Sequence, residues 1–204
     1  SCLSFSEPPA RLSASRAEFM FSLPKGKNLD LYIECGVDAC DTPDKDRWRL
    51  NAVQARLAIR RRLRRGASVR APRNPRINDW LTQSRTDVAL LTTDLPTGPY
   101  PYAGVPWFST PFGRDGIITA WQMLWIDPSL ARGVLTYLAS RQATEVNAFM
   151  DSAPGKIMHE TRGGEMSVLG EVPFGLYYGG VDTTCLFVAL AGAYLKRTGD
   201  LATI

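Results

Sequence analysis

Two segments repeat apolar residues at helical spacing, and both follow long loops rich in glycine, proline and aromatics. In the first, Ile117, Ala120, Trp121, Leu124 and Trp125 fall at i, i+3, i+4, i+7 and i+8, and Ile118, Met123 and Ile126 make the opposite side apolar too. In the second, Phe187, Leu190, Ala191, Tyr194 and Leu195 repeat the spacing. A helix apolar nearly all round is an inner helix, because water tolerates only one apolar stripe. The Trp121/Trp125 pair therefore reads as core. Between the two lies a one-faced helix. Asp127-Pro128 opens it as N-cap and first-turn proline, and Leu130, Val134, Leu135 and Leu138 line its inner side. Thr198-Gly199-Asp200 reads as the stop of the last helix.

The regions before these helices differ. Residues 1–80 carry 16 Lys/Arg against 9 Asp/Glu, whereas 81–204 carry 8 against 11. Nine arginines fall between Arg56 and Arg76 with no acid among them. Residues 1–40 read as β: an apolar run at 19–23, a turn at 24–28, then alternation that puts Leu29, Leu31, Ile33 and Cys35 on one buried face. Two such strands are too few to be stable alone and read as the tail of a larger sheet. Residues 41–77 form an Arg-rich helical linker, with Leu50, Val53 and Leu57 at helical spacing and Gly66, Pro72 and Pro75 ending the helix. An amphipathic helix with Trp80, Leu81, Val88 and Leu91 as its apolar positions follows, then a loop over 93–110 and a second over 142–182. Long loops inside a compact domain usually carry function.

Other classes are set aside on composition. Hydrophobic content of 45% and charged content of 22% are those of a folded globular chain. No apolar run approaches the roughly 18–20 residues that span a bilayer, so no membrane contact is expected. Cys2, Cys35, Cys40 and Cys185 form no C-x-x-C pair, which points to thiols in a reducing, cytoplasmic compartment. His159 is the single histidine, which argues against a His-based metal site, and no cofactor is expected.

The chemistry-bearing residues fall at the starts of the two apolar helices. Gly113-Arg114-Asp115-Gly116 follows Trp107, Phe108 and Phe112; Gly179-Gly180-Val181-Asp182 follows Phe174, Tyr177 and Tyr178. Between them, Lys156 to Glu165 is dense in polar groups, with His159, Glu160 and Arg162. Aromatic faces meet the C–H faces of sugars, and charged side chains bond their hydroxyls. Glycoside hydrolysis needs two carboxyl groups, set roughly 6.5–9.5 Å apart when the product is inverted. Plainer roles compete. Asp115 and Asp182 suit N-caps, and a helix N-terminus favours the ionised carboxylate over a proton donor. Glu160, Arg162 and Glu165 suit a loop-fixing ion network, and His159 a structural hydrogen bond.

Three motifs carry a resemblance. Trp107 to Ala120 with its Gly-Arg-Asp core, Pro154 to Glu165, and Tyr177 to Val188 resemble, in this order, bacterial amylo-α-1,6-glucosidase (glycogen-debranching-type) proteins of the six-hairpin glycosidase superfamily. The resemblance covers roughly 78–200. It implies a mainly α chain: the first part of a six-hairpin α/α toroid over 78–204, preceded by the tail of a β-sandwich domain over 1–40. It further implies inverting hydrolysis of α-glucosidic bonds, α-1,6 branch points included, in a glycogen-like oligo- or polysaccharide. Arg114 and Asp115 would hold the glucosyl ring, and Asp182 would be the general acid, with Glu160 the runner-up. Trp107, His159, Glu160, Arg162 and Tyr178 would complete the substrate site. A closed toroid needs twelve helices, so the chain is expected to be a piece truncated at both ends. Its general base would lie further along, and the piece alone would be inactive. The alternatives are another six-hairpin glycosidase (mannosylglycerate- or trehalose-type), a non-catalytic sugar-binding module, and a nucleic-acid-binding protein using the arginines, the last not expected because no nucleic-acid fold accompanies them.

Overall fold

The computed structural model describes residues 2–36 and 41–204, so Cys40 lies outside the described residues. The chain is mainly α, about 41% helix and 14% strand, the strands forming small two-stranded sheets. It divides into two compact units, Ser1–Arg60 and Arg61–Ile204.

In the first unit, β1 (Cys2–Phe5) pairs antiparallel with β4 (Ile33–Gly36), Leu3 opposite Cys35 and Phe5 opposite Ile33. Two-residue strands β2 (Arg11–Leu12) and β3 (Ala17–Glu18) make a separate hairpin. The expected alternation appears with its faces reversed. Ile33 and Cys35 are exposed, while Glu34 is partly covered and grips Arg47 through two bonds of 2.5 and 2.7 Å. Such a bidentate guanidinium–carboxylate pair is strong enough to choose the inward face of a two-stranded ribbon. The run at 19–23 is not a strand. Phe19 instead packs its ring on Phe5 at 5.3 Å, and Met20 is exposed. Helix α1 (Lys45–Leu63) begins where the Asp44 carboxylate accepts from the Arg47 N–H at 2.7 Å. Its Leu50, Val53 and Leu57 are exposed.

In the second unit, α2 (Pro75–Leu91) starts at Pro75, capped by Asn74, so Pro75 opens this helix rather than ending the one before. Within the expected 93–110 loop, β5 (Thr92–Leu95) and β6 (Gly98–Pro101) form a hairpin. Its turn needs Gly98, at φ +121, a conformation closed to other residues. Then come α3 (Gly113–Met123), α4 (Pro128–Ala139), the single turn α5 (Glu165–Val168), a 3₁₀ turn (Pro173–Gly175) and α6 (Thr183–Thr198).

The core lies where α3, α4 and α6 pack together, with β6 against α3 and α4. The α4 reading holds in detail. Asp127 accepts from the Ser129 N–H at 3.1 Å, Pro128 is the first helical residue, and Leu130, Val134, Leu135 and Leu138 are buried. Tyr100, Ile117, Leu138 and Leu190 are wholly buried, each apolar side chain contributing about 1.5–3 kcal/mol. Gly133 allows β6 to touch α4, since any Cβ there would strike the Pro99 backbone. Gly199, left-handed at φ +70, ends α6 as expected.

Helix α3 departs from expectation. Only the face carrying Gly113, Gly116, Ile117 and Ala120 is buried. Trp121 and Trp125 are 41% and 59% exposed, and Ile118 is exposed beside them. Periodicity fixes which residues share a face; burial needs an element to lie against it, and none does among the described residues.

Candidate active site

Three stretches of backbone converge ahead of α3 and α6. Glu160 bridges Phe112 on one side and Tyr177 on the other. The Gly113 N–H donates to His159 O at 2.7 Å, the His159 N–H to Tyr177 O at 2.8 Å, and the Tyr177 N–H to Glu160 O at 3.0 Å. His159 and Glu160 thus join the segment ahead of α3 to the segment ahead of α6 by isolated backbone bridges. Thr110 Oγ1 on Thr161 O, and Thr161 Oγ1 on Gly175 O at 2.7 Å, extend the clamp.

The glycines of the two motifs are explained by close approach. A Cβ on Gly113 would run into Met158 O and come within 2.8 Å of the Thr183 methyl. One on Gly116 would lie 2.7 Å from the Tyr100 hydroxyl, which sits beneath the helix start and donates to Phe112 O at 2.8 Å. Burial pushes the Tyr100 phenol well above its ordinary range, helped by Tyr137 and then Asp115 nearby. A Cβ on Gly179 would strike the Tyr177 hydroxyl; one on Gly180 would crowd Thr183 Oγ1 and stand 3.0 Å from His159 Nδ1.

These constraints leave the side chains of the two motifs facing each other. Arg114 Nη1 lies 3.4 Å from Asp182 Oδ2. Asp182 holds the N-cap position of α6 but makes no capping bond, and its Oδ1 is buried without a partner. Asp115 lies in the first turn of α3 rather than at its cap, which is Phe112. The capping role open to both aspartates on sequence is therefore taken by neither side chain. Arg114 and Asp115 share a cavity of about 210 Å³ with Tyr102, Ile118 and Thr119. Thr183 Oγ1 and His159 Nδ1, both beside Gly180, also lack partners. A buried polar atom left unpaired costs about 1–3 kcal/mol, so three of them beside one helix start mark a place where something other than stability is served.

The remaining expected residues divide. Glu160 is 8% exposed and its carboxylate is taken by Arg162 Nε, the loop-fixing ion pair foreseen as an alternative. Arg162 also donates to Trp107 O at 3.4 Å and lies 5.7–5.8 Å from the Phe108 and Phe112 ring centres. Trp107 is 78% exposed. Tyr178 departs from the sequence reading: it is buried in the core, its hydroxyl donating to Arg141 O at 2.8 Å, so it offers no face to a substrate. Thr183 and Tyr100 were not singled out from sequence, because Thr183 is placed by its approach to Gly113 and Tyr100 by its bond to Phe112 O, both long-range. No family model matches the chain, and no curated protein matches it. Among the described residues no helix is long and apolar enough to cross a membrane.

Proposed function

We propose that this chain is part of a glycoside hydrolase that cleaves α-glucosidic bonds of a glycogen-like glucan with inversion, Asp182 acting as the general acid. The observation that carries the reading is the Asp182 carboxylate: it heads a sixteen-residue helix, declines the cap, meets Arg114 with one oxygen and leaves the other buried and unpaired. A carboxylate held in that way is available to a ligand oxygen, and Arg114 can orient both. Each carboxylate meets an arginine; what favours Asp182 over Glu160 as the acid is its second oxygen, left without a partner, and its greater exposure. Arg114 and Asp115, on the rim of one cavity, suit neighbouring hydroxyls of a single ring.

In the same proposal, residues 78–204 are the first part of an α/α toroid and 1–40 the tail of a β-sandwich. The packing of α3 on α4 through a four-residue connection supports a helical hairpin. The resemblance in the three motifs supports the rest, and it assigns the general base to a carboxylate beyond residue 204. The nucleic-acid alternative loses ground because Arg62 and Arg65 both pair with Asp94.

The test is the anomer released. The full-length protein, given an α-1,6-branched maltooligosaccharide in a proton NMR tube, should liberate β-glucose before mutarotation. Initial release of α-glucose would refute inversion, and no release would refute the hydrolase reading.

A further inference from the structure

A small cavity, of about 30 Å³, shares no charged residue with the Arg114–Asp182 site. Arg62 and Arg65 from the end of α1 and just beyond it line the cavity, with Arg85 of α2 and with Asp127 and Leu130 at the start of α4. Its walls are fixed. Gly66 is left-handed at φ +69, and a Cβ there would strike Ile126 O, to which the Ala67 N–H donates at 2.8 Å. Arg85 Nη2 donates to Leu63 O at 2.5 Å, and Arg62 Nη1 to Ala89 O at 3.3 Å. The segment following α1, helix α2 and the α3–α4 connection are therefore bonded to one another around this space.

The charges around it do not balance. Asp94 serves two of the arginines at once, its Oδ2 lying 3.3 Å from Arg62 Nε and its Oδ1 2.5 Å from Arg65 Nη2. Both of those arginine side chains are 19% exposed. Arg85 is partly buried as well, and the partner it bonds is a backbone carbonyl; among the described residues it pairs with no carboxylate. Asp127 is buried, and its Oδ1 accepts from both the N–H and the hydroxyl of Ser129 as the α4 cap. Three guanidiniums thus stand against two carboxylates, one of them committed to a helix end. Guanidinium does not lose its proton in a protein, and a partly buried cation without a counter-charge is destabilising.

Sign and size select the occupant. Three arginines repel a cation. Water fits but brings no charge. A cavity of this volume holds one small particle, which excludes sulfate, phosphate and every phosphate ester. We propose that the cavity binds a monatomic anion, chloride in ordinary salt, held by Arg62, Arg65 and Arg85. The ion supplies the missing counter-charge and clamps the segment following α1 to α2 and to the α3–α4 connection. Asp127 shares the lining and weakens the affinity relative to a site of cations alone. The proposal is independent of the hydrolase reading.

The experiment melts the full-length protein at constant ionic strength while chloride, bromide or gluconate replaces isethionate; gluconate and isethionate are too large for the cavity. Chloride and bromide should raise Tm saturably, by about 2–5 °C once the halide exceeds its Kd tenfold, and gluconate should not. Arg85→Met keeps the apolar stem and removes the charge, so it should lose the halide response, whereas Arg85→Lys should retain part of it. A crystal grown in bromide should show an anomalous scattering peak inside the cavity. An equal halide response in the unaltered and Arg85→Met proteins, an equal response to chloride and gluconate, or no response at all would each overturn the site. A bromide peak without any effect on melting would mark an adventitious ion only and overturn it too. Should Arg85→Met fail to fold, the ion series and the bromide peak of the unaltered protein decide.

Discussion

Replacing Asp182 separates a residue that serves the fold from one that serves a reaction. Asp182→Ala removes the carboxylate altogether. Were it an ordinary cap, the loss would be about 1 kcal/mol. The structure gives no capping bond to lose. What is lost is an ion pair to Arg114 at 3.4 Å, with the two side chains 47% and 40% exposed, worth roughly 0.2–1 kcal/mol after solvent screening. Against this, the alanine relieves an unpaired buried oxygen, whose desolvation costs about 1–3 kcal/mol. The balance is close to zero or stabilising, the pattern of a site that trades stability for function. Urea denaturation should therefore show Asp182→Ala within about 0.5 kcal/mol of the unaltered protein or above it. Kinetics use Asp182→Asn, which keeps the shape but cannot donate the carboxyl proton. Its kcat on poor leaving groups should fall by about 10² to 10⁴. The loss should shrink on aryl or fluoride glycosides, which need little protonation at the departing oxygen. A loss above about 1.5 kcal/mol in Asp182→Ala, with kcat retained in Asp182→Asn, would return Asp182 to a structural role. If Glu160→Gln rather than Asp182→Asn showed the leaving-group dependence, the acid would be Glu160.

Arg114→Ala should raise KM and lower kcat/KM to a similar degree on good and poor leaving groups, since orientation rather than protonation is lost; steady-state rates on both substrates check it. Gly113→Ala sets a methyl group against Met158 O and 2.8 Å from the wholly buried Thr183. Neither neighbour can swing aside, so urea melts should show a loss of about 2–3 kcal/mol. Asp127→Ala deletes the α4 cap, which also accepts from Ser129 Oγ at 2.5 Å, and should cost about 1 kcal/mol by the same measurement. Burial raises the phenol of Tyr100 above its unfolded value, and those of Tyr137, Tyr178 and Tyr194 likewise. A raised folded value means the folded state holds its proton more tightly. Stability from these groups is then complete below about pH 10 and lost as pH climbs through the folded values. Melting temperature should fall steeply above pH 10, and Tyr100→Phe should soften that fall while costing about 1 kcal/mol near neutrality for its bond to Phe112 O.

What local chemistry dictates could be read along the chain. The Asp127-Pro128 start, the Gly199 stop and the inner stripe of α4 follow from caps and periodicity, whose energies involve residues a turn apart. The two motifs themselves, Arg114-Asp115 and Asp182, each ahead of an apolar helix, were also readable, because the residues of each are contiguous. Long-range contact decided the rest. Period two in β4 told which residues share a face, but the Arg47–Glu34 pair chose which face turns inward. Spacing grouped Trp121 and Trp125 with Ile117 and Ala120, which are buried, but burial of the two indoles required a neighbour that the described residues do not supply. Tyr178, which the resemblance placed in the substrate site, is core, and its hydroxyl bonds to Arg141 O, thirty-seven residues away. The site itself exists only through Glu160, whose backbone joins Phe112 to Tyr177 and brings Arg114 to Asp182 across sixty-eight residues of chain. Pairing between distant backbone segments leaves no periodic trace in composition or spacing, so only the folded structure reveals it.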